Sequence, residues 1–440
     1  MQVKDQNTPS FLLYLFIFIL LFAPLAFASV ELWSITTVEL AVGVLGLLLL
    51  FYQLQGRIST VAVPGALPLF LLLLYMALQL VPLPPWLLAI LSPGSAAVYE
   101  PVYQAMGEDS WTSLSVHRKA TVLELLRIAS YGLFYVITIQ LLSNGRWLEK
   151  TVKIIVGLAV FIAFLAILQR YTSPEHIYWF RSGPDARFMG PWIHRGQFAG
   201  FMAMLLPLLL GLFLYHKPTV DSTESLRARI VDFFSSPGSN LQILLAFGIV
   251  VILFSILLSL SRTGILVTLL SLLLFYYFLS RKRGIRSWPV LLIFVAGITL
   301  FFFNFESEEL VSRINDSITV EGELQFDRID TWRDTVEIIK VFWLTGAGFG
   351  TFVDIFPLYK TIANQHVYDH AHNDYIELLT NGGIIGFLLA GWFVVAVAAN
   401  GWRMIIRRRD NFSILIGIGA LVGISSMLLF AITDFNMHNG

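Results

Sequence analysis

DHAHNDYIELLTNGGIIGFLLAGWFVVAVAAN, residues 369–400, sets a cluster of ionisable side chains directly against an apolar run too long for an ordinary strand. The polar half closes an interval from about Glu306 to Thr380 that is too polar for a membrane interior. It carries Arg313, Arg328, Arg333, His366, His370, His372, Asp374 and Glu377. A second apolar run, residues 288–304, stands on its other side. The interval therefore reads as a polar cap holding a reaction centre, presented by a frame embedded in a bilayer.

Composition agrees with such a frame. Of 440 residues, 57% are hydrophobic and 13% charged, with a mean hydropathy of +0.75. A soluble domain carries about 25% charged residues, so half of the expected charge is missing. Because long apolar runs recur from end to end, residues 1–440 read as one all-α polytopic membrane unit rather than several soluble domains. There is no cysteine, which excludes a disulfide framework, thiolate metal ligation and a cysteine nucleophile. Ala26-Phe27-Ala28 superficially resembles a signal-peptide cleavage site, yet the apolar run before it is followed by many more, so a retained first span is expected.

A helix needs roughly 20 apolar residues to cross the hydrocarbon core. Eleven runs qualify: 11–28, 38–54, 62–80, 121–142, 154–169, 197–215, 242–259, 264–279, 288–304, 383–401 and 412–431. They are continuously apolar, which favours helices over an alternating barrel. With the N-terminus cytoplasmic, the basic runs Arg281-Lys282-Arg283 and Arg407-Arg408-Arg409 both fall inside, as the positive-inside bias requires, and Arg118-Lys119 stays outside. The outer face then receives the loops 81–120 and 170–196, the tight turn at Arg262, and a large loop, 306–381, between the ninth and tenth spans. The inner loop 217–240 reads as a flexible connector.

Three groups of arginines mark the outer edge. Arg262, in Leu258-Ser259-Leu260-Ser261-Arg262-Thr263-Gly264, is an isolated charge between two spans. An arginine there either snorkels to headgroups or meets an anionic partner. Arg181, Arg187, His194, Arg195 and Gln197 form a second group, in which Gly190-Pro191 breaks any helix and delivers His194 and Arg195 to the mouth of the sixth span. The guanidinium fork matches phosphate oxygens; a routine interfacial anchor is the plain alternative. Arg328 and Arg333 open an amphipathic helical pattern with apolar Trp332, Val336, Ile339 and Trp343. It ends in Leu344-Thr345-Gly346-Ala347-Gly348-Phe349-Gly350, which lacks the Lys-Ser/Thr continuation of a nucleotide loop and reads foremost as a helix stop.

In the segment around His372, His370 and Asp374 are four residues apart, and Asp374 and Glu377 three apart. The spacing matches no metal motif, so no metal is assigned. A histidine beside a hydroxyl serves as a general base, and a polar helix cap is the bland alternative.

His372-Asn373-Asp374-Tyr375-Ile376-Glu377-Leu378-Leu379 followed by Asn381-Gly382-Gly383, together with the Arg262 turn, Trp332-Arg333 before the glycine loop, and Arg195-Gly196-Gln197-Phe198-Ala199-Gly200, resembles the bacterial O-antigen ligase and polysaccharide polymerase superfamily over roughly 180–435. The resemblance implies about twelve helices, similar to C-type membrane glycosyltransferases, with a large, mostly helical periplasmic loop. It implies a donor glycan on undecaprenyl diphosphate, and transfer to a glycan, lipid or protein acceptor at the periplasmic face of the bacterial inner membrane. The transfer it implies is inverting, cofactor-free and metal-independent. It places the essential histidine on His372 and the essential arginines on Arg262 and on Arg328 or Arg333, with Arg195 where the family often has a basic or amide residue, so that these cations hold the diphosphate. Asp374, Glu377 or Asp369 is then the carboxylate that orients the imidazole. His194, His370 and Asp369 stand as supporting residues. Asp434–His438 resembles the segment before the family's final helix.

The same resemblance leaves polymerase open beside ligase. A transporter or flippase is the rival of another class; it calls for ionisable groups near mid-membrane, where Glu124 and Arg127 are the main exceptions in a nearly charge-free interior. Nucleic-acid binding is not expected, because the basic clusters are explained by topology.

Overall fold

Apolar runs in a bilayer must satisfy their backbone internally, and the chain answers with helices. The computed structural model describes residues 9–107, 110–182, 189–216, 238–283, 321–361 and 367–433, with backbone alone at 106, 283 and 321–327. The predicted span 288–304, residues 217–237 of the inner connector, Arg187, Arg313, His366 and the tail 434–440 lie outside the described residues.

In chain order the helices are α1 (Ser10–Leu25), α2 (Leu32–Leu54), α3 (Ala66–Leu78), α4 (Pro85–Leu91), α5 (Pro93–Met106), α6 (Arg118–Leu142) and α7 (Gly145–Thr172). There follow α8 (Arg195–Tyr215), α9 (Ser239–Leu258), α10 (Arg262–Arg283), α11 (Glu321–Val341), α12 (Phe352–Ile355), α13 (Asp374–Arg407) and α14 (Asn411–Phe430). Two short antiparallel hairpins pair Pro82–Leu83 with Thr112–Ser113 and His176–Ile177 with Arg181–Ser182. Among the described residues, eight helices are long and apolar enough to cross a membrane: α2, α6 to α10, α13 and α14. The first and third predicted spans are the shorter apolar helices α1 and α3. The region 81–120, expected as a plain loop, instead folds into α4, α5 and a hairpin.

Lipid tails give apolar helices no hydrophobic reason to associate, so close backbone packing must do it. The α8/α14 seam shows how. A Cβ on Gly211, Gly419 or Gly423 would lie 2.6, 2.7 or 2.6 Å from the carbonyl oxygens of Leu415, Pro207 and Met204. These pairings run antiparallel, so their register carries the C-terminal end of α14 to the first turn of α8. At one end of the bundle Lys282 Nζ donates to Ile406 O at 2.7 Å, which brings the two three-residue basic runs together. At the other end Thr433 Oγ1 donates to Thr263 Oγ1 at 3.1 Å.

The cap has its own core of Ile338, Phe342, Phe352, Ile355, Phe356 and Ala371. Burying each large side chain of this kind contributes about 1.5–3 kcal/mol. The buried face of α11 is Thr331, Asp334, Thr335 and Ile338, continued by Phe342 just past its end, whereas Val336 and Trp343 of the expected apolar stripe are exposed. Asp334 tolerates burial because the Thr361 N–H and hydroxyl donate to its two oxygens at 2.7 and 2.9 Å.

The glycine loop is a joint. Gly346 (φ 69°) and Gly383 (φ 60°) adopt left-handed or otherwise glycine-favouring backbone. A Cβ at either would meet a carbonyl oxygen, Asn381 O at 2.3 Å or Leu344 O at 2.4 Å. Gly383 breaks α13, and the loop takes up the freed groups: Ala347 N–H donates to Thr380 O and Gly348 N–H to Asn381 O, at 2.8 and 3.0 Å. From α3 and its C-cap, Tyr75 Oη and Gln79 Nε2 donate to Thr345 O, each at 2.7 Å.

Candidate active site at three helix N-termini

Arg195, Arg262 and Asp374 are the first residues of α8, α10 and α13, and a chain of contacts links these three helix starts. A Cβ on Gly264 would sit 2.4 Å from Ala199 Cβ, so the opening turns of α8 and α10 touch. Thr263 meets Thr433 as described above, and the Asp374 N–H donates to Ala431 O at 2.9 Å. Arg328 of α11 reaches the same segment, its guanidinium donating to Thr433 O at 3.4 Å. Residues 431–433 are thus the hub on which Arg262, Arg328 and the His372 segment meet, and the α8/α14 register adds Arg195. A helix N-terminus carries the positive end of the macrodipole, so three converging ones with arginines can attract a polyanion, although in α13 the N–H groups of Asp374, Tyr375, Ile376 and Glu377 already donate to Ala431 O and to Asn373.

The Arg262 turn is built for its place. Leu260 takes a positive φ of 51°, and the Ser261 hydroxyl accepts the Gly264 N–H at 3.1 Å, capping α10. Arg262 follows, exposed, at the first helical position.

His372 is held by its neighbours rather than by a helix. Ala371 is fully buried; its carbonyl accepts Trp332 Nε1–H at 2.9 Å, and its N–H donates to Glu377 Oε2 at 2.9 Å. Asn373 is the N-cap of α13, its Oδ1 accepting the N–H groups of Tyr375 and Ile376 at 3.0 and 3.1 Å. Between them His372 adopts φ 52°. A left-handed backbone is uncommon for a residue with a side chain and costs about 1–3 kcal/mol, and such strain gathers at functional sites.

The helical spacing expected across 370–377 therefore does not apply, because α13 begins only at Asp374. Glu377, 2% exposed, pairs with His370 Nδ1 at 2.9 Å and so supports the His372 loop from beneath. Asp369 is exposed, and Asp374 is buried two residues from His372. His194 is the exposed N-cap residue of α8. Arg333 stands apart from the hub: 71% exposed, it pairs with Asp330 at 2.9 Å on its own helix. Among the described residues no group of three or more His, Asp or Glu is placed to hold a metal.

Sequence reasoning missed Thr263, Ala431 and Thr433, which carry the hub, and Asn373 as the cap. The Asx residue ahead of a helical apolar pattern was a readable signal for the last.

Residues 247–391 match the family described as O-antigen ligase. The match supports the O-antigen ligase and polysaccharide polymerase superfamily and, with the eight span-length helices, a membrane glycosyltransferase-like ligase or polymerase acting on lipid-linked glycans. No curated protein matches the chain.

Proposed function

From the O-antigen ligase match and the superfamily it supports, we propose that this membrane protein transfers a glycan from undecaprenyl diphosphate to an acceptor hydroxyl on the periplasmic face of the inner membrane, with inversion and without a metal or cofactor. The observation that carries the reading is the convergence of Arg262, Arg328 and the starts of α8, α10 and α13 on residues 431–433, beside the strained His372.

In this reading the diphosphate lies among Arg262, Arg195 and Arg328, with Arg333 at the periphery. These cations and helix dipoles are fixed before the reaction, so they stabilise the charge that develops on the leaving group without reorganising. His372 accepts the acceptor hydroxyl's proton on an imidazole nitrogen. The acceptor oxygen bonds to the anomeric carbon from the face opposite the diphosphate. The anomeric carbon–phosphate oxygen bond breaks, and its electron pair leaves with the lipid diphosphate. Asp374 and Asp369 are the carboxylates left to orient His372, because Glu377 is engaged by His370 and the Ala371 N–H.

A decisive test incubates the purified protein with a lipid-linked glycan and alternative acceptors, then reads product size and anomeric configuration. A single addition to a terminal acceptor marks a ligase, and lengthening of a second lipid-linked chain marks a polymerase. Retained configuration, or a requirement for a divalent ion after chelation, would sink the mechanism. Movement of the intact donor across liposomes with no new glycosidic bond would replace it with transport.

A further inference from the structure

An apolar cavity of about 420 Å³ lies among α1, α2, α6, α7 and α8. Trp192 and Gln197 line one end, Met427 of α14 adjoins them, and Ile155 and Leu158 line the part midway along α7. Gln197 sits in the first turn of α8, two residues past Arg195. It is 4% exposed, and its amide nitrogen is buried with no hydrogen-bond partner among the described residues. Native proteins rarely keep a buried donor unpaired without a use for it. The antiparallel α8/α14 register sets Gln197 level with Phe430, next to the Ala431 that accepts the Asp374 N–H. This one side chain therefore stands where the cavity meets the hub.

We propose that Gln197 is a positioning residue whose amide N–H is donated to the phosphate nearest the prenyl chain, at the point where the anionic head meets the apolar tail seated in the cavity. This rests on the reading of the site given above. A neutral amide suits that junction: it supplies a directed donor without burying a charge among apolar walls, which is costly. Farther along the lining, Glu39 of α2 is the one carboxylate. It repels phosphate, so the head stays at the arginine end while only hydrocarbon passes inward. Gln197 then sets how far the lipid slides, and with it the distance between the anomeric carbon and His372.

The test uses the full chain in nanodiscs and two probes, undecaprenyl diphosphate and undecaprenol, which differ only in the head. The wild type should prefer the diphosphate. Gln197→Leu should weaken diphosphate binding about tenfold, the worth of one hydrogen bond to a charged group, with undecaprenol affinity unchanged. In turnover the donor KM should rise in step while the acceptor KM holds, and Gln197→Asn should recover part of the loss. Gln197→Glu, of the same size, should bind the diphosphate more weakly still through like charge, which keeps the test open if the leucine variant does not insert. Full diphosphate preference in Gln197→Leu or Gln197→Glu overturns the role of Gln197 and leaves the proposed reaction standing. A wild type that binds both probes equally overturns the diphosphate site itself, and the role of Gln197 with it.

Discussion

The turn Ser259–Gly264 and the loop Leu344–Gly350 are both short, carry glycine and abut a membrane helix, but they present different groups. In the loop the N–H groups of Gly346, Ala347, Gly348 and Phe349 all donate to protein, reaching Phe342 O, Thr380 O, Asn381 O and Gln79 Oε1. No donor in that run is left for a ligand. In the turn the N–H groups of Ser259, Leu260, Ser261 and Gly264 likewise donate to protein, to Ser255 O, Leu257 O, Ser259 Oγ and Ser261 Oγ, but the chain then opens a helix with an exposed arginine at its first position. A glycine loop with its amides consumed and no charge to offer is a joint; a capped turn that projects a guanidinium beside a helix dipole is, in the proposed reading, where the diphosphate is received.

The largest expected effect breaks the comparison on the receptor side. His372→Ala should lower transfer by about 10²–10⁴-fold, the usual worth of a general base, while the protein inserts normally. Turnover near the wild-type rate in a purified assay removes His372 from the chemistry. Next comes Arg262→Lys, which keeps the charge and loses the fork; it should cost about ten- to a hundredfold in kcat/KM, and full activity would show that a point charge suffices.

On the joint side, Gly346→Ala should cost stability rather than chemistry. Its Cβ would sit 2.3 Å from Asn381 O on a backbone with φ 69°. A loss of about 1–3 kcal/mol is expected as a lower Tm in detergent, with the donor KM of the surviving protein unchanged. A raised donor KM at unchanged Tm would mean that the loop touches substrate after all. The smallest effect separates two arginines of one helix. Arg328→Ala should lower kcat/KM about tenfold, and Arg333→Ala less than about threefold, because an exposed pair such as Arg333–Asp330 contributes little. Equal losses would mean that α11 presents both guanidinium groups to the donor.

Much of this was legible beforehand where one physical rule dominates. Long apolar runs have to be helices in lipid, and ten of the eleven expected spans coincide with described helices. The failures came where tertiary partners decide. Nothing local marks Glu377 as the partner of His370, because the pairing depends on a loop that is not helical. On α11 the expected apolar stripe misplaced the inward face, since Asp334 and two threonines are buried by being hydrogen-bonded rather than by being apolar. The small residues Gly419 and Gly423, four apart, were a readable sign of a close helix contact. Their partners on α8 were not readable.

The break at Gly383 has one more consequence. It divides α13 into an upper arm, tied through Thr380 and Asn381 to the cap, and a lower arm that crosses the lipid. Bilayers of different thickness tilt spanning helices, but a swing of the lower arm meets a change of backbone direction before it reaches Asn373. The imidazole is therefore tethered to the cap rather than to the membrane, and turnover should stay nearly level across vesicles of shorter and longer acyl chains. A steep dependence would show that the two arms move as one rod.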